Sequence, residues 1–491
     1  MTQMKLVYNI QDKPPLGKNL FYALQQLLAI MAATILVPAL VDPNGLYMNQ
    51  AAALCGAGFG TLFYLFMTQR KSPVFLGSSF AFIAPLTGAV AYGFAGIFLG
   101  AVFAGLVYIV IALIVKATGT AWVNKLLPPV VIGPTVALIG LSLCGSAVKN
   151  LANLNGDHLV FSIKEAFANT AITGENVNDA IAAETVTGYS WVHILLGIFA
   201  FAVTVLVSVK SKRLKMVPFI VGIVAAYIVG LLLTVIGNST GNDALKVINL
   251  DAYKDLHFFS VPRFNFLGMF GVYDEAIKET VIKGEVVGKV NHIASFADVI
   301  NILILFAPVA FVTLAEHIAD HKNLSTIVDR DLISDPGLSN TLIGDGMGSV
   351  IGSFFGGCPN TTYGESVGCV AITRNASVST IFLAALYCII LSFFGPFTAF
   401  VNSIPACITG GVCIALYGFI AVSGLKMLQP VDLNDNRNLF VVAAILVTGI
   451  GGLEFRFEHL TISSIATALI LGIVTNVIIN RRKGENAQEH K

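Results

Sequence analysis

The chain has 491 residues, of which 56% are hydrophobic and 12% charged, about half the charge of a soluble domain. Its formal net charge of +1 implies no nucleic-acid or acidic partner. Mean hydropathy is +0.80, and apolar runs of the roughly twenty residues needed to cross a bilayer recur from end to end, so the pattern sets aside a soluble globular protein and predicts an all-α polytopic membrane protein.

In chain order the pattern predicts fourteen membrane segments, at about 17–41, 49–68, 74–90, 92–117, 126–147, 190–209, 216–237, 297–321, 338–357, 361–374, 376–401, 405–425, 438–452 and 460–480. The third and tenth are too short or too interrupted for plain spanning helices. The first apolar run is long enough to remain in the membrane, so no cleavable signal peptide is expected. Most Lys and Arg residues fall on the cytoplasmic side when both termini are put there; Arg456 is the one left in a short outside loop. Two long outside loops, about 148–189 and 238–296, are polar and of mixed charge, and read as solvated surface. The second contains Asp274–Lys283, with the pattern of an amphipathic helix. The cysteines, Cys55, Cys144, Cys358, Cys369, Cys388, Cys407 and Cys413, fall mostly within apolar runs and form no CxxC, so they read as small core residues.

Fourteen segments divide into two copies of seven, and an odd number per copy inverts the second, as in many secondary transporters. Gly77–Ala84 (GSSFAFIA) in the third segment resembles Gly364–Ala371 (GESVGCVA) in the tenth, and Leu127–Gly133 (LPPVVIG) resembles Ile404–Gly410 (IPACITG). The repeat makes the two interrupted segments equivalent. Each opens on β-leaning residues, Val74–Leu76 and Thr361–Tyr363, and then has a glycine and a helix-like run. Unpaired backbone in hydrocarbon survives only where protein or a cavity satisfies it. Short strands in segments 3 and 10 would pair with each other, and the half-helices after them would aim free N–H groups at a common point.

Ionisable residues inside a membrane are functional candidates by default. Thr313, Glu316 and Asp320 share one helical face in the eighth segment; His317 and His321 share a neighbouring one. Asp345 lies between two glycines of the ninth segment, and Glu365 in the tenth. Solvated carboxylates at a span's edge are the plainer reading of Glu316, and a structural hydrogen bond is an equal reading of Asp345. The i, i+4 spacing of His317 and His321 suits a metal, but the zincin pattern is absent and no metal or cofactor is expected. Nor is there a nucleophile elbow or a polar loop with a nucleophile–base pair, so no enzyme is expected.

At Gly77–Pro85, Ala315–His321 and Pro359–Gly368, continuing through Ala371–Arg374, the chain resembles the nucleobase–ascorbate (nucleobase–cation symporter 2) transporters, most closely their bacterial uracil permeases. Pro128–Pro134 and Leu416–Gly418 add to the resemblance, which covers nearly all of the chain outside the two long loops. It implies a core domain, 1–118 and 297–402, and a gate domain, 119–237 and 403–480, with 238–296 an outside loop and 481–491 a cytoplasmic tail. It implies proton-coupled uptake in the cell membrane and often a homodimer. By position it implies that Glu316 and Glu365 bind the base, that the backbone at Phe80 and Gly364, with Ser79 beside it, meets the carbonyls, and that Tyr363 and Tyr417 line the pocket. Three departures stand out. The family often has Gln-His where this chain has Gln25-Gln26, and Asn where it has Ser366. Some uracil permeases have His where it has Asp320, here followed by His321.

Uracil offers two N–H donors and two carbonyl acceptors. Ionised carboxylates accept only, so they suit the N–H edge, and backbone donors suit the carbonyls. The expected division of labour is Glu316 carrying the coupled proton, with Asp320 or His321 as relay and Asp345 as a further proton-handling candidate, while Glu365 reads the base. Two alternatives stay open. One is a xanthine or urate permease of the same family, in which Gln commonly occupies the Glu365 position. The other is an anion transporter of the related seven-plus-seven fold.

Overall fold

The computed structural model describes residues 5–42, 45–152, 191–211, 214, 217–254, 256–270, 281–282, 285–286, 293, 295–457 and 460–486. The fold is mostly helical. Among the described residues, eight helices are long and apolar enough to cross a bilayer: Leu16–Val41, Gln50–Met67, Phe80–Thr118, Pro129–Leu151, Trp191–Lys210, Pro218–Thr240, Phe296–Val328 and Ala406–Lys426. Val378–Ser392, Asn436–Ile450 and Ser464–Ile479 are shorter apolar helices. The chain forms two compact units. One holds Met1–Ser142, Ala252–Asn402 and Leu416–Lys491; the other holds Leu143–Asp251 and Ser403–Ala415.

Within the second unit the Pro218–Thr240 helix packs on Trp191–Lys210 at a glycine. A β-carbon added at Gly222 would lie 2.9 Å from the Ala200 carbonyl oxygen. Thr234 Oγ1 accepts the backbone N–H groups of Val247 (3.1 Å) and Ile248 (2.9 Å), and the Tyr227 and Ser403 hydroxyls lie 2.6 Å apart. Of the stretch Asp274–Lys283, read as an amphipathic helix, only Val281 and Ile282 are described; they form a short strand antiparallel to Glu285–Val286. The rest of that stretch, most of the 148–189 loop and residues 487–491 of the tail lie outside the described residues.

The first unit is organised around a glycine-rich helix, Leu338–Phe355. Gly344, Gly346, Gly348 and Gly352 let backbones approach closely, the packing mode favoured where lipid supplies no hydrophobic drive between helices. A β-carbon at Gly56 of the Gln50–Met67 helix would lie 2.6 Å from the Gly352 carbonyl oxygen, and one at Gly105 would lie 2.7 Å from that of Gly346.

Several helices differ from the segments expected, two of them in the 296–402 stretch. The 376–401 segment is two helices, Val378–Ser392 and Gly395–Asn402. Residues of the 257–260 loop intervene there: Ser260 N–H donates to the Phe393 carbonyl (3.0 Å) and Gly395 N–H to that of Phe258 (3.1 Å). The helix expected over 297–321 runs from Phe296 to Val328, opened by a Ser295–Asp298 capping box and closed by Asp329 in a left-handed conformation. The polar residues after His321 mimic a membrane edge in sequence, yet buried Leu324 carries the packed face onward. Glu316 therefore lies about three turns inside the helix end rather than one.

Both interruptions begin with chain reversals. After Met67, Gln69 (φ 54°) and Arg70 (φ 58°) turn the chain, and Pro73 bars a new helix. After Phe355, Gly356 at φ 105° ends the helix and Pro359 follows. Strands Leu76–Ser78 and Asn360–Thr362 then pair antiparallel, with Leu76 opposite Thr362, Gly77 opposite Thr361 and Ser78 opposite Asn360. The ribbon is buried, and neighbouring helices satisfy its edges. Thr61 Oγ1 accepts Leu76 N–H (3.0 Å), Ser349 Oγ donates to the Asn360 carbonyl (2.5 Å), and Tyr363 Oη donates to that of Ser78 (2.6 Å).

Gly77 is the tightest point of the ribbon. A β-carbon there would collide with the Tyr363 ring and lie 2.9 Å from Thr34 Oγ1. Gly77→Val is expected to lower the melting temperature of the purified protein by several degrees, since overpacking a filled core costs ~1–3 kcal/mol. Unchanged melting and uptake would show that the ring is free to move aside.

Candidate functional site

The strand crossing faces a cavity of about 40 Å³. Ser79, Phe80 and Ala81 line it from the first interruption, and Thr361, Tyr363, Gly364 and Glu365 from the second. Glu316, Ala319, Asp320 and Asn323 face it from the long Phe296–Val328 helix. Val136, Ile139, Phe419, Ile420, Ser423 and Met427 complete its wall.

Donors come from two helix starts. Phe82 N–H turns back to the Ser79 carbonyl (3.3 Å), so the N–H groups of Phe80 and Ala81 precede the hydrogen-bond ladder. Val367 N–H turns back to the Tyr363 carbonyl (3.2 Å), which leaves Gly364, Glu365 and Ser366 ahead of theirs. Neither Ser79 nor Tyr363 caps its helix with a side chain. Both helix starts, with their partial positive charge, border the same cavity.

Acceptors come from carboxylates. Glu316 and Asp320 are one turn apart on one helix face, and a β-carbon at Gly364 would lie 3.5 Å from Asp320 Oδ1. Glu365 Oε1, Asp320 Oδ2 and Ser79 Oγ are buried and find no hydrogen-bond partner among the described residues. The cavity wall thus offers polar atoms that no protein group among the described residues satisfies. No group of three or more His, Cys, Asp or Glu among the described residues is arranged for a metal.

The cavity therefore gathers Glu316, Glu365, Ser79, Phe80, Gly364, Tyr363 and Asp320. Three expected residues stand elsewhere. Tyr417 does not border the cavity; it packs edge-on against Phe80, ring centroids 5.4 Å apart, and supports the wall from behind. His321 is turned away, its Nδ1 2.8 Å from the His317 carbonyl and its Nε2 2.7 Å from Tyr64 Oη. Asp345 is fully buried against His317, Oδ2 to Nδ1 2.6 Å. His317 Nε2 lies 3.0 Å from Thr341 Oγ1, whose own proton goes to the Leu338 carbonyl (3.0 Å). Tyr363 borders the cavity with its hydroxyl committed to the Ser78 carbonyl. Sequence reasoning missed Asn323, although it stands three positions after Asp320 on the same face. Ser423 and Met427 carry no comparable local signal.

Discontinuous segments whose helix starts meet at a polar cavity define a membrane transporter. A profile described as the permease family matches residues 17–456. The chain belongs to this family of nucleobase–ascorbate permeases, and is a transporter rather than an enzyme. It is 37% identical over 483 residues to a uracil permease of Bacillus caldolyticus, covering 97% of this chain and 96% of the relative. It is 34% identical to a uracil permease of Bacillus subtilis, covering 99% and 98%, and 32% identical to one of Escherichia coli K12, covering 96% and 93%. Its fold is similar to the transmembrane domain of the cyanobacterial bicarbonate transporter BicA, with a TM-score of 0.58 at 14% identity, covering 97% of this chain and 100% of the other. It is also similar to the murine solute carrier 26 family member A9 anion transporter in the inward-facing state, with a TM-score of 0.61 at 12% identity, covering 96% and 69%.

Proposed function

We propose that this protein imports uracil by proton symport, through alternating access of a core domain (1–118 and 297–402) against a gate domain (119–237 and 403–480), built as two inverted repeats of seven segments. The observation that carries the reading is the pairing, in one cavity, of buried unpartnered carboxylate oxygens with N–H groups at two helix starts. A pyrimidine with N–H and C=O groups alternating around one ring is the complement of that arrangement. Glu365 accepts from the base, and Phe80 and Gly364 donate backbone N–H to its carbonyls. Glu316 carries the coupled proton, with Asp320 as its relay, since Asp320 shares its face and the cavity whereas His321 faces Tyr64. Both termini are cytoplasmic, in the cell membrane.

The names of the relatives support uracil over a purine, as does an acid rather than an amide at position 365. The likeness to bicarbonate and anion transporters extends to the fold alone, and carboxylates in the cavity repel an anion. Radiolabelled uracil uptake by cells expressing the protein is expected, with loss of accumulation on adding a protonophore and competition by unlabelled uracil but not by xanthine or urate. Uptake indifferent to the protonophore would overturn the coupling, and competition by xanthine the substrate.

A further inference from the structure

Two buried polar side chains beside the site, Gln26 and Ser366, touch each other. Gln26 projects from the Leu16–Val41 helix and Ser366 is the third residue of the Glu365 helix. The Gln26 amide Nε2 donates to Ser366 Oγ and stands 3.4 Å from the Ser366 carbonyl. Ser366 Oγ also accepts Phe75 N–H (3.1 Å), while the Phe75 carbonyl accepts Tyr363 N–H (3.3 Å). A hydroxyl oxygen has two lone pairs, so Gln26 and Phe75 use both. Gln26 is 3% exposed, and Phe75 and Ser366 are fully buried. Three elements thus meet at one oxygen, next in sequence to the carboxylate in the cavity.

We infer that Gln26 and Ser366 form a matched positioning pair, which holds the start of the Glu365 helix against the first strand and so sets how squarely Glu365 meets a substrate N–H. The pair does not touch the cavity; neither residue borders it. It acts through Glu365, and in this it rests on the substrate reading above. Ser366→Ala strands both the Gln26 amide and Phe75 N–H. Gln26→Leu removes one donor and leaves the Phe75 bond intact. Removing both members leaves less stranded than the sum of the single losses, because a polar group unmade together with its partner is far less unfavourable than one left alone.

The test is a double-mutant cycle on purified protein, read as affinity for uracil and for its 1-methyl and 3-methyl derivatives. Ser366→Ala is expected to lower uracil affinity by about 30-fold. It is also expected to collapse the preference for uracil over the more weakly bound methyl derivative, since that preference reports the N–H read by Glu365. Ser366→Thr, which keeps the oxygen, is expected to keep the preference. The double variant Gln26→Leu with Ser366→Ala is expected to be no worse than Ser366→Ala alone. Additive losses, or an affinity loss with the preference intact, would overturn the pair. Failure of the unaltered protein to bind uracil would instead overturn the substrate reading. The coupling is then read from the melting temperatures of the four unliganded proteins, where additivity again overturns the pair.

Discussion

Glu365→Ala is expected to weaken uracil binding by about 100-fold, with the melting temperature of the unliganded protein unchanged or raised. A hydrogen bond to a charged group contributes about 1.5–3 kcal/mol, and each 1.4 kcal/mol is tenfold in affinity. Removing the carboxylate leaves a ligand N–H facing a dry wall, so the larger figure applies. The unliganded protein loses little, because Glu365 Oε1 has no hydrogen-bond partner among the described residues to lose. That asymmetry separates a binding residue from a structural one. Isothermal titration with uracil beside thermal melting checks both halves. A variant that binds normally removes Glu365 from the site; one that melts far lower while binding poorly makes it a structural residue.

Glu316→Gln is expected to abolish uphill accumulation driven by a pH gradient in proteoliposomes, while exchange of labelled for unlabelled uracil persists at a reduced rate. Glutamine keeps the shape and one acceptor oxygen but cannot take up or release a proton. Binding and conformational cycling can therefore continue, whereas coupling cannot. Asp320, one turn away on the same cavity face, remains able to titrate but lacks its partner. Retained accumulation in Glu316→Gln would move the coupled proton elsewhere. The His317–Asp345 pair, buried and hydrogen-bonded, is then the first place to look.

Much of the site was legible before any coordinates. Glycine, proline and β-leaning residues at 72–79 and 357–363 break two spans at equivalent places, and local backbone rules suffice to read that. Helical spacing puts Glu316 and Asp320 on one face, and the same spacing reaches Asn323, where the polar residues past His321 mimic a membrane edge. The 376–401 segment reads as continuous in hydropathy, although Gly395-Pro396 is a breaker dipeptide; that residues of a loop more than a hundred positions earlier take its backbone hydrogen bonds carries no local signal.

The sequence by itself determined a polytopic membrane protein, the two interruptions and the shared helix face of Glu316 and Asp320. Each of these follows from composition and from periodicities of a few residues, which operate wherever the chain ends up. Only the tertiary structure decided which distant groups meet. It put Tyr417 behind Phe80 instead of in the cavity, turned His321 to Tyr64, joined Asp345 to His317, and brought Gln26 to Ser366 across most of the chain. Those pairings depend on how glycine-faced helices approach and rotate against one another. That is a property of the packed bundle, and no single segment carries it.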